Sequence, residues 1–152
     1  MNAIELLEAD HAVVDGLFEE VEDSDASRHP LLFAQIRAEL EAHAHIEESI
    51  FYPTIQEDGD EALIELTSDA LKEHAEMKVV LGDLAASVSD PDKFEPLLIK
   101  LIEDVRHHVE EEEGEMFPLV EDQFDEAALE NLGLLLQAEK DRFQTSSESA
   151  RA

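Results

Sequence analysis

The chain has 152 residues, 43% of them apolar, with five glycines, five prolines and no cysteine; this is material for one domain with a real core, and it excludes disulfides, thiolate metal ligands and a cysteine nucleophile. Forty acidic residues against ten Lys and Arg leave a formal charge of −30 at pH 7. Such a field repels phosphate backbones and anionic membranes, so neither nucleic acid nor a lipid surface is an expected partner.

Leu, Glu and Ala dominate, as in an all-α protein. The start, MNAIELLEADH, has neither the cationic beginning nor the continuous apolar run of a signal peptide. No stretch reaches the roughly 18 apolar residues of a membrane span, and a cytoplasmic location is expected. The acidity itself serves solubility, as in a high-salt cytoplasm, with attraction of cations as a second effect.

The first predicted helix covers 2–22, with Ile4, Leu7, Val14, Phe18 and Val21 on one seam and His11 among them. Polar turn formers over Glu22–Pro30 end it near Asp23, and His29 falls in that loop. The second runs from Leu31 to about Thr54 and is expected to stop just after Pro53. Its seam, Phe33, Ile36, Leu40, His43, Glu47, Ile50, places two polar residues where the period demands core. An ionised carboxylate there is costly unless it is paired or bound to a cation. The third helix spans Glu61–Val88, with Ile64, Leu71, His74, Met77, Leu81 and Leu84 inward. Asp90 and Pro91 open the fourth as cap and first residue. Its seam is Phe94, Leu98, Leu101, Val105, His108, Glu112, Met116 and Leu119.

This predicts an antiparallel up-down-up-down four-helix bundle over 1–122. A short amphipathic helix over 123–143, made less regular by Gly133, packs on it, and 144–152 is expected as a disordered tail. The chain also reads as a duplicated hairpin. His11 leads to His43-x-x-x-Glu47 and His74 to His108-x-x-x-Glu112, and each pair ends in a proline ten residues past its second histidine, Pro53 and Pro118.

A lone histidine on an apolar face is ordinarily a hydrogen-bonded core residue. Four helices each contributing one at similar depth, with two carboxylates, are undersatisfied without a cation. Imidazole and carboxylate with no thiolate suit iron or manganese, and bundle cores are a known setting for two-metal carboxylate centres. Glu47 and Glu112, matched in the repeat, are the natural bridging carboxylates. His45, about 200° from His43, and His107 point outward. Glu110–Glu113 is a solvated face apart from Glu112, and Glu48 and Glu113 are candidates for supporting or alternative bridging roles.

The motifs Asp10-His11, HAHIEESIFYP from His43, EHAEM over Glu73–Met77 and RHHVEEEEGEMFP from Arg106 resemble the hemerythrin and HHE cation-binding family over most of residues 1–120. The resemblance implies a non-haem di-iron centre, with manganese the lesser alternative, held by His11, His43, Glu47, His74, His108 and Glu112 and joined by an oxo or hydroxo bridge. It implies a small diatomic or peroxide ligand, whether dioxygen, hydrogen peroxide or nitric oxide, and either catalase-like turnover or iron, oxygen or redox sensing without turnover, in a monomer or weak homo-oligomer. One departure stands out. Hemerythrins proper carry His-x-x-x-His on the third helix, whereas the residues four before and four after His74 are Ala70 and Lys78. This argues against simple reversible dioxygen carriage. Tyr52 is a candidate replacement ligand, if Pro53 favours a local i+5 widening that turns the phenol inward; the alternative is a tyrosine packed beside Phe51.

Overall fold

The computed structural model describes residues 1–151, with side chains through Glu148, and the described residues form seven α-helices and no strand. Helix α1 (Ala3–Asp23) starts at Asn2, which accepts from the Glu5 amide at 2.9 Å while Glu5 accepts from the Asn2 amide at 3.0 Å, a reciprocal capping box. A 3₁₀ turn (Ala26–Arg28) leads to α2 (His29–Ile46), a five-residue π-turn (Glu47–Phe51) and α3 (Tyr52–Asp58). Helix α4 (Glu61–Ala86) is capped by Asp60. Helix α5 (Pro91–Glu111) has Asp90 at its cap position, where the side chain makes no capping bond. A second π-turn (Glu112–Met116), α6 (Phe117–Gln123) and α7 (Glu126–Arg151) complete the order.

The second helical arm does not stop after Pro53 as expected but runs to Asp58. Pro53 has no amide hydrogen and would collide with the carbonyl of Ser49 in a regular α-helix. The π-turn absorbs this, because the Tyr52 amide donates to the Glu47 carbonyl, five residues back. The fourth arm repeats the device before Pro118, with the Phe117 amide on the Glu112 carbonyl, and here the widening was not anticipated. Each π-turn inserts one residue into the period, so the buried face moves from the expected Ile50 and Leu119, both half-buried, to Tyr52 and Ile55 and to Phe117 and Val120. In α4, Leu63 and Ala70 are buried instead of Ile64, which is 42% exposed.

Two apolar clusters fill the interior. One joins Leu7 at the start of α1, Phe51 and Ile55 at the end of the second arm, Leu63 and Ala70 early in α4, and Phe117 and Val120 of the fourth arm. The other joins Phe18 and Val21 late in α1, Phe33 and Ile36 early in α2, Leu84 late in α4, and Phe94 and Leu98 early in α5. Leu129, Leu132 and Leu136 of α7 belong to the first cluster. Helix α7 also continues past Phe143 to Arg151, where a disordered tail was expected; Gln144–Arg151 holds no glycine or proline to interrupt the helix, and Ala152 lies outside the described residues. Among the described residues no helix is long and apolar enough to cross a membrane.

Gly133 is where α7 crosses the chain's start. A Cβ there would stand 2.5 Å from the Met1 carbonyl oxygen and 2.9 Å from the Asn2 carbonyl carbon. At an unobstructed helical site alanine is favoured over glycine by about 1 kcal/mol. Here Gly133→Ala is expected to destabilise by about 1–3 kcal/mol through overpacking, and an unchanged or raised Tm would refute the contact.

His29 is not a loop residue but the first residue of α2. Its Nε2 donates to the Val21 carbonyl at 2.9 Å and its Nδ1 lies 2.8 Å from Glu95 Oε2, tying the end of α1 to the start of α5. Burial opposes the charge, yet the bonds to Glu95 and Val21 outweigh it and raise the imidazole above its usual range. A raised folded-state pKa contributes stability that is fully present below the unfolded value of about 6.5 and lost as pH rises through the folded one. His29→Gln is therefore expected to lower stability by about 1 kcal/mol at pH 5.5 and by much less at pH 9, read as the Tm gap between the two proteins. A gap that does not change with pH would reject the assignment.

Candidate metal centre

Six polar side chains share one layer in the interior: His11 of α1, His43 of α2, His74 of α4, His108 of α5, and Glu47 and Glu112, each the first residue of a π-turn. None is more than 7% exposed, and Glu47 is fully buried. The Nε2 atoms of all four imidazoles point inward. Those of His11 and His43 are 3.2 Å apart, and those of His74 and His108 are 3.3 Å apart. Glu47 Oε1 lies 3.1 Å from His43 Nε2 and 3.3 Å from His74 Nε2. Glu112 Oε1 lies 3.1 Å from His11 Nε2, and its Oε2 lies 3.4 Å from His108 Nε2. Two donor groups result, His11, His43, Glu47 and Glu112 in one and Glu47, His74 and His108 in the other. Each carboxylate thus reaches imidazoles of both groups.

The layer fits metal ions on its own geometry. Both oxygens of Glu47 and Oε1 of Glu112 are buried and have no hydrogen-bond partner, although imidazole nitrogens stand within ion-pair distance. Converging lone pairs that do not hydrogen-bond to one another are a costly arrangement unless a cation lies between them. With no ion, protons take up the same charge balance. Burial disfavours the imidazolium of His108, but Glu112 and Glu73 outweigh this and push it up to about 10; His11, His43 and His74 are raised in the same sense. Burial would raise Glu112 too, but the imidazoles of His108 and His11 beside it hold it well below the usual carboxylate range.

The outward Nδ1 of every imidazole meets a carboxylate from a neighbouring arm. Asp10 Oδ2 of α1 is 2.9 Å from His43, and Glu48 Oε2 of the first π-turn is 2.8 Å from His74. Glu73 Oε1 of α4 is 2.8 Å from His108, and Glu113 Oε2 of the second π-turn is 2.7 Å from His11. The circuit closes, with each arm holding the next arm's histidine. A carboxylate on Nδ1 fixes the ring's orientation and leaves Nε2 as the inward donor. Glu48 and Glu113 were foreseen only as candidates for such support, and Asp10 and Glu73 were missed. The repeat carried the signal, because each half reads acid-His on its first helix and Glu-Glu on its second.

The π-turn swings Tyr52 inward, where it is fully buried. Its hydroxyl donates a short hydrogen bond to Glu112 Oε2 and lies 3.4 Å from His74 Nε2. Burial, then Glu112 and Glu47, push the phenol well above its usual range. The matching residue of the other half is Phe117, whose ring stacks parallel to that of His11 at 6.0 Å. His45 lies outside the cluster, with Nε2 2.7 Å from Glu139 of α7, and His107 is exposed beside Glu111.

A helical bundle with a buried layer of histidine and glutamate donors is the architecture of a cation-binding protein. The hemerythrin HHE cation binding domain model matches residues 2–120, and the chain belongs to that family. It is similar to a crystal structure of a hemerythrin HHE cation binding domain-containing protein from Mycobacterium kansasii, with a TM-score of 0.82 and 27% identity, covering 98% of this chain and 91% of that one. It is also similar to a protein of Nostoc sp. (strain PCC 7120 / SAG 25.82 / UTEX 2576) named a DNA nickase, 28% identical over 148 residues. That match takes in 95% of this chain but only 40% of the relative's length.

Loss of a carboxylate that orients a metal-binding histidine costs about 10- to 100-fold in metal affinity. Asp10→Asn and Glu73→Gln are each expected to weaken metal binding in that range, measured against a competing chelator. Affinities equal to the parent's would show that the outer ring orients nothing.

Proposed function

We propose that the chain is a non-haem di-iron protein that binds or turns over dioxygen, hydrogen peroxide or nitric oxide, with catalase-like disproportionation of hydrogen peroxide as the favoured reaction. The observation that carries this reading is the set of three buried, unpartnered carboxylate oxygens facing four inward Nε2 atoms. In the proposed ligand set His11 and His43 serve one ion, His74 and His108 serve the other, and Glu47 and Glu112 serve both. Tyr52 fills the place left by the absent fifth imidazole, on the side of the smaller donor group. A sulfur-free set of imidazole, carboxylate and phenol favours iron, with manganese second. The helix ends that share each apolar cluster support an antiparallel up-down-up-down bundle around this layer.

Two irons, when bound, supply the electron exchange and Lewis acidity that imidazole and carboxylate lack. The chain's own residues do the rest. Asp10, Glu48, Glu73 and Glu113 orient the imidazoles, and the surrounding side chains keep Glu47 and Glu112 out of contact with water. Without iron the Tyr52 hydroxyl donates to Glu112, and as a ligand the phenol would give up that proton. Disproportionation, 2 H₂O₂ → 2 H₂O + O₂, needs no external reductant and so suits a chain without a thiol. Strand scission is not carried over from the longer nickase, because a charge of −30 opposes a phosphate backbone.

Elemental analysis is expected to find about two irons per chain, lost in the His43→Ala, His108→Ala double variant; an iron-free protein would sink the reading. Iron-loaded protein mixed with hydrogen peroxide is expected to evolve oxygen, and retention of iron without oxygen evolution would leave iron, oxygen or redox sensing in place of turnover. A visible charge-transfer band lost in Tyr52→Phe would identify the phenol as a ligand.

A further inference from the structure

The imidazole layer is not sealed. A cavity of about 520 Å³ has His11, His43, His74 and His108 on its floor, while Glu47, Glu112 and Tyr52 are not part of its lining. Val14, Leu40, Met77, Leu81, Val105 and Val109 form its walls. Its mouth lies between α2 and α4, where Arg37, Glu41, Glu48, Lys78 and Gly82 stand, with Phe143 of α7 beside them.

Size and charge together say what it takes. A diatomic molecule or hydrogen peroxide needs roughly the 30 Å³ of one liquid water, and a cavity of about 150 Å³ already binds benzene. The space over the imidazoles is therefore more than an order of magnitude too large for the small species, and it lies within the range of organic ligand sites. The apolar walls suit an alkyl chain, and beyond the four imidazoles the polar lining groups are those at the mouth together with His45 and Ser49. The two cations at the mouth are each held by a carboxylate, Arg37 Nε by Glu41 at 3.1 Å and Lys78 Nζ by Glu48 at 2.6 Å. Each cation thus already has a carboxylate neighbour, and the net charge of −30 opposes an anionic headgroup.

We infer that the cavity binds a neutral alkyl molecule of several carbons with one oxygenated end, and that an alkyl hydroperoxide is the member of this class presented to the imidazole layer. This rests on the proposed reading of that layer as the metal centre. The alkyl part lies against Leu40, Met77 and Leu81, and the oxygenated end faces the four imidazoles.

The test uses 1-octanol as a redox-inert neutral probe and octanoate as its anionic counterpart, titrated calorimetrically into the iron-loaded full chain. Saturable binding of 1-octanol is expected, with octanoate at least about tenfold weaker, a difference of about 1.4 kcal/mol. Leu81→Trp fills the cavity from α4 and Val109→Phe from α5. Each is expected to weaken 1-octanol binding about tenfold or more while iron content stays at the parent level. Absence of saturable 1-octanol binding, equal affinity for octanoate, or unchanged affinity in both filled variants would overturn the inference. Iron and peroxide turnover without 1-octanol binding would remove this inference alone. Leu81-dependent 1-octanol binding by a protein that holds no iron would remove the di-iron reading and leave an organic-ligand site.

Discussion

The structure depends on holding two carboxylates, Glu47 and Glu112, in a buried layer. A buried charge without a partner costs several kcal/mol, so everything around these two glutamates supplies or steers positive charge. Four imidazoles face them from four helical arms, and four further carboxylates hold those imidazoles from behind. Glu48, Glu73 and Glu113 sit nearer the surface, where water meets part of their solvation, and the buried Asp10 is met by Lys140. The inner pair is left to the imidazoles and to whatever cation lies among them. Glu47 and Glu112 themselves lie outside the lining of the cavity, so solvent does not offer them a cheaper solution.

The duplicated hairpin produces this layer economically, and it departs from symmetry where chemistry would use the difference. Both halves have an acid-His pair, a His-x-x-x-Glu pair, a π-turn and a proline. The π-turn brings the fifth residue after each glutamate back toward it, which a regular α-helix does not do. In one half that residue is Tyr52, hydrogen-bonded to Glu112; in the other it is Phe117, stacked on His11. A single hydroxyl thus separates the environments of the two donor groups, on the side that has fewer imidazole and carboxylate donors.

Helix α7 lies beyond residues 2–120 but belongs to the site. Lys140 donates to Asp10 at 2.6 Å, so it meets the carboxylate that orients His43. Glu139 holds His45, and Phe143 stacks on the His45 ring at 4.5 Å and lines the cavity mouth. The helix therefore shapes access to the imidazole layer as well as covering the first apolar cluster. Its passage over the chain's start at Gly133 sets how closely it can approach.

By itself the sequence determined the all-helical class, the duplication and the six inward donors, because a 3.6-residue period assigns His11, His43, Glu47, His74, His108 and Glu112 to buried faces without knowledge of any neighbour. It reached Tyr52 only conditionally, through the proline that follows it. What lies across helices was decided by the tertiary structure. The pairing of Asp10 with His43 and of Glu73 with His108 joins residues 33 and 35 positions apart, and no local pattern specifies such contacts. The second π-turn, the continuation of the second arm past Pro53 and the cavity over the imidazoles follow from how the arms pack. Periodicity says which way a side chain faces, and only packing says what it meets there.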